Sequence, residues 1–197
     1  MDSFETKQIT YFKKAGSENT EKTIELAVGY ARSNGIKTII IASATGRSAL
    51  LLKKAAPEIR VLDVTYSEAV SYEDELKEFN KNKKKLEEAG IQIVKCSHAF
   101  SGVEKALFNR YKSMMPQILI ADTLKLISEG LKVAVESTLM AADVGAVNCE
   151  ENVLALGGTG SGVDTCLLVR PTTTSNFFKL GILEIICMPE YIGLAHG

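Results

Sequence analysis

The sequence predicts one α/β domain of three layers, in which helices cover both faces of a mainly parallel sheet with an antiparallel edge. Short apolar runs rich in β-branched residues alternate with segments of helical periodicity up to residue 112, the pattern of successive βαβ units. A glycine-rich loop then joins two further apolar runs, and so short a connection favours antiparallel pairing. Residues 1–197 are assigned to this one domain, a length that a single hydrophobic core can serve.

Seven apolar runs are predicted as strands, and Val163–Arg170 is the one expected to form the antiparallel edge. They are Ile9–Phe12, Thr38–Ala42, Ile59–Val64, Ile91–Cys96, Glu151–Leu156, Val163–Arg170 and Leu183–Met188. The intervening segments place apolar residues at helical spacing, and the first three helices are predicted to stop at Gly35, Pro57 and Gly90.

Two later helices carry further expectations. The helix after Gly102 has an apolar side that is predicted to face inward, formed by Val103, Ala106, Leu107 and Met114. Segment Leu131–Val144 is apolar almost all round and is therefore predicted to be deeply buried. Glu136 and Asp143 interrupt it on one face. Buried carboxylates need partners, so this face is expected to meet polar loops or a ligand, with structural hydrogen bonding as the alternative.

The loop after Thr38–Ala42 is the first candidate site, because the carboxyl ends of parallel strands form the ligand-binding edge of α/β folds. Backbone N–H groups at the start of the following helix, together with hydroxyl and guanidinium donors, are suited to a phosphate. A plain helix cap with a solvent-exposed arginine is the alternative. The GxxxxGK[ST] lysine and spacing of a P-loop are missing. The residues concerned are Ser43, Thr45, Gly46, Arg47 and Ser48.

A second candidate is the glycine-rich segment Gly157, Gly158, Thr159, Gly160, Ser161 and Gly162. Its glycines would let the backbone approach a ligand closely, whereas a flexible hairpin loop is the alternative. It is not a dinucleotide-binding GxGxxG, since the spacing differs and a strand follows. Residues Thr65–Ser71 are predicted as a loop at the same edge, which adds Thr65 to the candidate binding residues.

Composition limits the classes of partner. The net charge of −1 argues against nucleic acid, and no apolar window is long enough for a membrane helix. The four cysteines are far apart, without a CxxC pair, and indicate buried thiols in a reducing compartment and no metal site. With no signal-peptide pattern at the N-terminus, we expect a cytoplasmic protein.

Two segments resemble the C-terminal domain of pyruvate kinase. SATGRSALLLKKAAP is similar to its phosphate loop and following helix, and ENVLALGGTGSGVDT to a later strand with the loop that closes over the effector. The resemblance assigns Ser43, Thr45, Gly46, Arg47 and Ser48 to the first loop. It assigns Gly157, Gly160, Ser161, Gly162 and Thr165 to the second. Because Ala44 and Arg47 replace hydroxyl residues and the chain has no Trp, it implies an anionic ligand without implying fructose bisphosphate.

Nearly the whole chain is similar to a family of stand-alone archaeal and bacterial proteins with the pyruvate kinase C-terminal fold. The matching motifs include YFKKAGSENTEKT, GLKVAVESTLMAADVGA and the FFKLGILEIICMP tail. This resemblance implies the fold and suggests flavin mononucleotide (FMN) as a bound ligand. Asn19 and Thr20 would then border the pocket. Subunit contacts of pyruvate kinase C-terminal domains suggest a homo-oligomer.

Two functions follow as hypotheses. In the first, the domain binds a phosphorylated small molecule, FMN or a sugar phosphate, without catalysis. In the second it is an enzyme, such as a flavin-dependent oxidoreductase, with His98 as general base and Glu136 or Asp143 as its carboxylate partner. For His98, a surface or hydrogen-bonding role is the alternative. Whether the protein is an enzyme is left open by the sequence.

Overall fold

The computed structural model describes residues 4–67 and 73–190. Residues 68–71 of the loop predicted after the third strand lie outside this part. The strands are β1 (Thr10–Phe12), β2 (Thr38–Ala42), β3 (Arg60–Thr65), β4 (Gln92–Lys95), β5 (Val153–Gly157), β6 (Thr165–Arg170) and β7 (Gly181–Pro189). The α-helices are α1 (Thr20–Asn34), α2 (Arg47–Ala55), α3 (Glu73–Glu88), α4 (Val103–Tyr111), α5 (Pro116–Lys125) and α6 (Glu129–Asp143). Short 3₁₀ helices span Ser17–Asn19 and Thr174–Lys179.

The strands form a seven-stranded sheet in the order β1-β7-β6-β5-β2-β3-β4, which confirms the predicted fold class. β6 is antiparallel to both of its neighbours, and the other pairings are parallel. The antiparallel part therefore lies toward one edge, where β7 and β1 continue the sheet beyond β6. Every described strand except β6 ends at the same side of the sheet, so the loops after β2, β3, β4 and β5 collect there.

Helices cover both faces of the sheet. On one face α1, α2 and α3 bury residues such as Ile24, Leu52 and Phe79 against the strands. On the other, α6 crosses the sheet with Leu131 and Leu139 fully buried, and α5 packs beside it. The predicted deep burial of α6 is confirmed, because apolar strand residues meet it along most of its length.

The predicted inner side of α4 is wrong. Val103 and Met114 are more than two-thirds exposed, Leu107 is also exposed, and no residue of α4 is buried. Apolar residues at helical spacing indicate an amphipathic helix, but they do not reveal whether another part of the same chain covers it.

Candidate functional site

The two candidate loops leave adjacent strands at the same edge. β2 pairs with β5 in parallel, with Ile41 opposite Leu156. The chain continues from β2 through residues 43–46, here called the β2 loop, into α2. It continues from β5 through residues 158–164, here called the glycine loop, into β6. The sheet therefore brings together two segments that are more than one hundred residues apart.

The β2 loop turns sharply at Gly46, the residue before α2. Gly46 has φ of 77°, a left-handed conformation that favours glycine, and an added Cβ would lie 2.6 Å from Leu86 Cδ1. No side chain of the described residues caps the N-terminus of α2. The first intrahelical bond runs from the Leu50 N–H to the Gly46 carbonyl, so earlier N–H groups have no partner within the helix. Ser43 and Ser48 are buried beside this turn, and Thr45 is half-buried.

Side chains of α3 hold the β2 loop from outside. Asn82 Nδ2 donates to the Thr45 carbonyl at 2.9 Å. The Arg47 guanidinium, at the start of α2, forms an ion pair with Glu78. On the sheet side, Thr65 Oγ1 donates to the Ala44 carbonyl at 3.2 Å. The predicted phosphate donor Arg47 thus already has an anionic partner within the chain.

The glycine loop is fixed by a buried carboxylate at its end. Asp164 is fully buried, and its Oδ2 accepts the backbone N–H groups of Gly16 at 2.9 Å and Thr159 at 3.2 Å. Its Oδ1 accepts the Thr165 hydroxyl at 3.0 Å. Gly160 and Ser161 at the tip are exposed. The base of the loop is therefore ordered by internal bonds, and its tip faces outward.

The start of α1 closes the other side of the glycine loop. The Val163 N–H donates to Thr20 Oγ1 at 3.1 Å, and a Cβ on Gly162 would lie 2.3 Å from that same oxygen. Asn19 Nδ2 donates to the carbonyls of Lys14 at 2.8 Å and Gly16 at 3.2 Å. The N-terminal segment is thereby tied directly to the glycine loop.

The start of α6 meets the glycine-loop side of this edge as well. Ser128 Oγ accepts the Leu131 N–H at 2.9 Å and lies 3.3 Å from Thr165 Oγ1. Gly130 fits there only because it has no side chain, since a Cβ would lie 2.3 Å from Thr165 Oγ1. A Cβ on Gly157 would in turn lie 2.1 Å from the Gly130 carbonyl oxygen. Close packing of the chain therefore requires glycine at both positions.

His98 and Glu136 lie next to each other. The His98 ring, in the loop after β4, places Nδ1 3.8 Å from Glu136 Oε2 and stacks on the Tyr66 ring with centroids 5.7 Å apart. Glu136 is almost fully buried in α6, where Lys132 Nζ donates to Oε2 at 2.6 Å and the Phe100 N–H to Oε1 at 2.9 Å. Burial raises the pKa of Glu136, but the interactions with His98, Lys132 and Phe100 outweigh it and lower the pKa to about 2.

Asp143, the alternative partner for His98, has a different role. Its two carboxylate oxygens accept the backbone N–H of Thr174 at 2.9 Å and the Thr174 hydroxyl at 2.8 Å. Asp143 thus fixes the start of the 3₁₀ helix before β7. Of the two acids on α6, Glu136 is the one that lies beside His98.

A small cavity of about 10 Å³, roughly the space that a single water molecule needs, opens between the ends of β3 and β4 and the start of α3. It is lined by Ala44, Thr65, Tyr66, Ser67, Leu76, Phe79 and Lys95. Within the described residues, no group of three or more His, Cys, Asp or Glu side chains is arranged to hold a metal ion. No helix of the same residues is long and apolar enough to cross a membrane.

The sequence missed several residues that shape this edge. Asp164, Ser128, Asn82 and Glu78 all fix or occupy the candidate loops, yet none was selected. Asp164 lies two residues after the last glycine, and a carboxylate that close to a predicted loop could have been recognised as its anchor. Lys132 lies four residues before Glu136, the spacing at which helical side chains meet, so this pair was also accessible from the sequence.

The fold and this edge define an α/β domain with its polar loops gathered at the carboxyl ends of a mainly parallel sheet. Residues 21–169 match the family described as pyruvate kinase, alpha/beta domain. The chain belongs to this family, as its resemblance to pyruvate kinase predicted.

Solved structures give matches of low identity. A pyruvate kinase from Cryptosporidium parvum is 17% identical over 78% of this chain and 23% of that one, with a TM-score of 0.40. The same organism's pyruvate kinase in complex with ADP is 17% identical over 78% of this chain and 24% of that one, with a TM-score of 0.41. An NH3-dependent NAD synthetase from Campylobacter jejuni in complex with nitrate is 13% identical over 69% of this chain and 54% of that one, with a TM-score of 0.38. The chain spans about a quarter of the length of the pyruvate kinases.

Proposed function

We propose that the protein is a small-molecule-binding domain that holds a phosphorylated ligand, such as FMN or a sugar phosphate, at the carboxyl edge of its sheet. The observation that carries the proposal is the start of α2, a helix N-terminus that no side chain of the described residues caps and that lies beside the glycine loop. Such a terminus offers unpaired N–H groups and the positive end of the helix dipole to an anion. The assignment of the chain to the pyruvate kinase α/β domain family agrees with a ligand-binding role.

In this proposal the β2 loop grips the phosphate. The N–H groups at the start of α2 donate first, and Thr45, Ser48 and Arg47 add side-chain donors. Charged hydrogen bonds of this kind contribute roughly 1.5–3 kcal/mol each, so a few of them suffice for useful affinity. The exposed tip of the glycine loop, Gly160 and Ser161, closes over the ligand, and Asn19 and Thr20 border the pocket.

The test compares a phosphorylated compound with its dephosphorylated analogue. Native mass spectrometry of the purified protein looks for a co-purified phosphorylated compound, and calorimetry compares FMN with riboflavin. Arg47→Ala is expected to weaken FMN binding by roughly ten- to a hundredfold. Arg47→Lys should recover only part of this, because an ammonium lacks the bidentate fork of the guanidinium.

The control is Lys54→Ala, which removes an exposed cation from the far end of the same helix and should leave FMN affinity unchanged. Equal affinity for FMN and riboflavin would show that the β2 loop is only a helix cap. Binding of a sugar phosphate without FMN would keep the site and exclude the flavin.

A second candidate function is enzymatic, and the proximity of His98 to Glu136 favours it. A carboxylate beside Nδ1 can orient an imidazole for general-base chemistry. If FMN is the cofactor, its isoalloxazine ring would supply hydride chemistry, and His98 would move a proton. Reduction of protein-bound FMN by a nicotinamide cofactor, lost in His98→Gln, would support an oxidoreductase. The same reduction rate in His98→Gln, or none in the wild type, would leave binding as the function.

Self-association and a cytoplasmic location stay predictions. A measurement of molecular mass in solution, with and without FMN, tests the first.

A further inference from the structure

Asp63 is a buried acid that has no hydrogen-bond partner among the described residues. It lies in the middle of β3, where the alternation of the strand places it on the same face as Val61 and Thr65, toward α2 and α3. Its neighbours in register are Ile41 on β2 and Ile93 on β4. Asp63 is fully buried, and neither carboxylate oxygen has a partner among the described residues. A carboxyl group in such surroundings is an unusual feature that calls for an explanation.

The charged groups on the elements around Asp63 do not compensate it. β2 contributes no titratable residue. β4 contributes Lys95, which is level with Thr65, and its Nζ lies 4.5 Å from the centre of the Phe79 ring. Arg47 of α2 and Glu78 of α3 pair with each other at the surface. Burial alone raises the pKa of Asp63 well above its ordinary value.

We propose that Asp63 is a neutral acid in the folded protein and that its ionisation loosens the helical layer formed by α2 and α3, so that this side of the domain responds to rising pH. An unpaired carboxylate cannot stay in an apolar layer without water or a counter-charge reaching it. The layer above β3 is attached by few buried side chains, mainly Leu52 of α2 with Phe79 and Leu86 of α3. Opening of this layer is therefore the route by which water can reach Asp63.

The direction of the pH effect follows from the two protonation states. In the unfolded chain Asp63 ionises near pH 4, about the ordinary value for an aspartate, whereas burial keeps it protonated to higher pH in the folded state. The folded state then binds more protons than the unfolded state. Its contribution to stability is fully present below the unfolded pKa and is lost as pH rises through the folded pKa. Between the pKa of Asp63 in the unfolded chain and its pKa in the folded protein, the folding equilibrium constant falls by up to about tenfold per pH unit.

The α2–α3 layer also holds the candidate site, through the contact of Asn82 with the Thr45 carbonyl. Loosening it would release the β2 loop. The proposal itself requires no ligand, because it concerns the packing of the free protein.

The test measures urea unfolding of the wild type and Asp63→Asn between pH 5 and pH 9. Asparagine keeps the shape but cannot ionise, so the variant should gain stability relative to the wild type with each unit of rising pH. Other groups, including the buried Cys187 thiol, whose pKa burial raises to about 12, titrate in both proteins and cancel in this difference. Asp122→Asn, which changes an exposed acid on α5, is the control and should show a difference independent of pH.

Hydrogen exchange locates the opening. Amide exchange is base-catalysed, so its rate rises with pH even without structural opening. In the wild type, the exchange rate of amides 76–88 should rise more steeply than this intrinsic increase, whereas that of amides 131–142 in α6 should not. Asp63→Asn should remove the excess. Parallel pH profiles for the wild type and Asp63→Asn would overturn the proposal, and a pH-dependent difference without faster exchange in α3 would overturn its local part. Asp63→Leu replaces Asp63→Asn if the latter does not fold.

Discussion

Helices α2 and α6 both begin at the carboxyl edge of the sheet, and they begin in opposite ways. α6 starts at Ser128, whose hydroxyl caps the helix inside a network that includes Thr165 and Asp164. α2 starts at Gly46, where no side chain of the described residues caps the helix and where Asn82 and Glu78 reach in from outside. The start of α6 is completed by the protein itself, and the start of α2 leaves donors available. This difference explains why we assign the anion to α2.

The same difference extends to the two loops. Buried groups set the conformation of the glycine loop, so changes there should act on stability. Partly exposed side chains hold the β2 loop, so changes there should act on binding.

The largest expected effect is on the glycine loop, where two glycines form a matched pair. Gly160 and Gly162 have φ of 75° and 72°, so alanine is strained at both. A Cβ on Gly162 would also lie 2.3 Å from Thr20 Oγ1, whereas one on Gly160 would have nothing within 4 Å. Gly160→Ala should reduce the free energy of unfolding by about 1 kcal/mol, and Gly162→Ala by about 3 kcal/mol.

Urea unfolding gives the free energy of unfolding of each variant. The backbone strain is common to both variants, so the difference between them measures the clash with Thr20. Similar losses would mean that the loop relaxes away from Thr20, and that its base is less firmly held than the contacts indicate.

A smaller effect is expected at the cap of α6. Ser128→Ala leaves the Leu131 N–H without its acceptor and should reduce the free energy of unfolding by about 1 kcal/mol. Ser128→Thr keeps a capping hydroxyl and should therefore lose less of the free energy of unfolding than Ser128→Ala. Neither change should alter affinity for a phosphorylated ligand, as measured by calorimetry. Loss of ligand affinity with unchanged stability in Ser128→Ala would move the anion from α2 to α6.

The sequence predicted the sheet and the position of the candidate loops because both depend on local patterns. The short apolar runs around Ile40 and Ala155 favour buried strands, and the loops that follow parallel strands lie at one edge of the sheet. It did not predict the partners that arrive from distant segments. Asn82 and Glu78 look like ordinary polar residues of a charged helix, and only the packing of α3 brings them to the β2 loop.

The same limit explains why the prediction for α4 was wrong and why the buried Asp63 was not anticipated. The apolar side of α4 is as regular as that of a core helix, but no residue of α4 is buried in the described structure. Asp63 interrupts an otherwise apolar run, and its sequence neighbours give no sign that it lacks a hydrogen-bond partner in the part of the chain that the structure describes. Periodicity describes one element at a time, whereas the exposure of a side chain and the hydrogen bonding of a buried polar group depend on the elements around it.

The smallest expected effect tests the β2 loop through Glu78. In the free protein its carboxylate occupies the Arg47 guanidinium that we assign to the phosphate, so carboxylate and phosphate compete. Glu78→Gln keeps the size of the side chain and removes its charge, and the phosphorylated ligand should bind more tightly. Because Arg47 is largely exposed, the ion pair contributes little, and we expect a gain in ligand affinity of only about two- to fivefold.

The control is Glu87→Gln, which makes the same charge change at an exposed position of α3 and should leave ligand affinity unchanged. Calorimetry in low salt gives the largest signal, because salt weakens the competition. Weaker binding in Glu78→Gln would mean that the ion pair positions Arg47 for the ligand, and the division between an internally completed loop and an open one would then not hold.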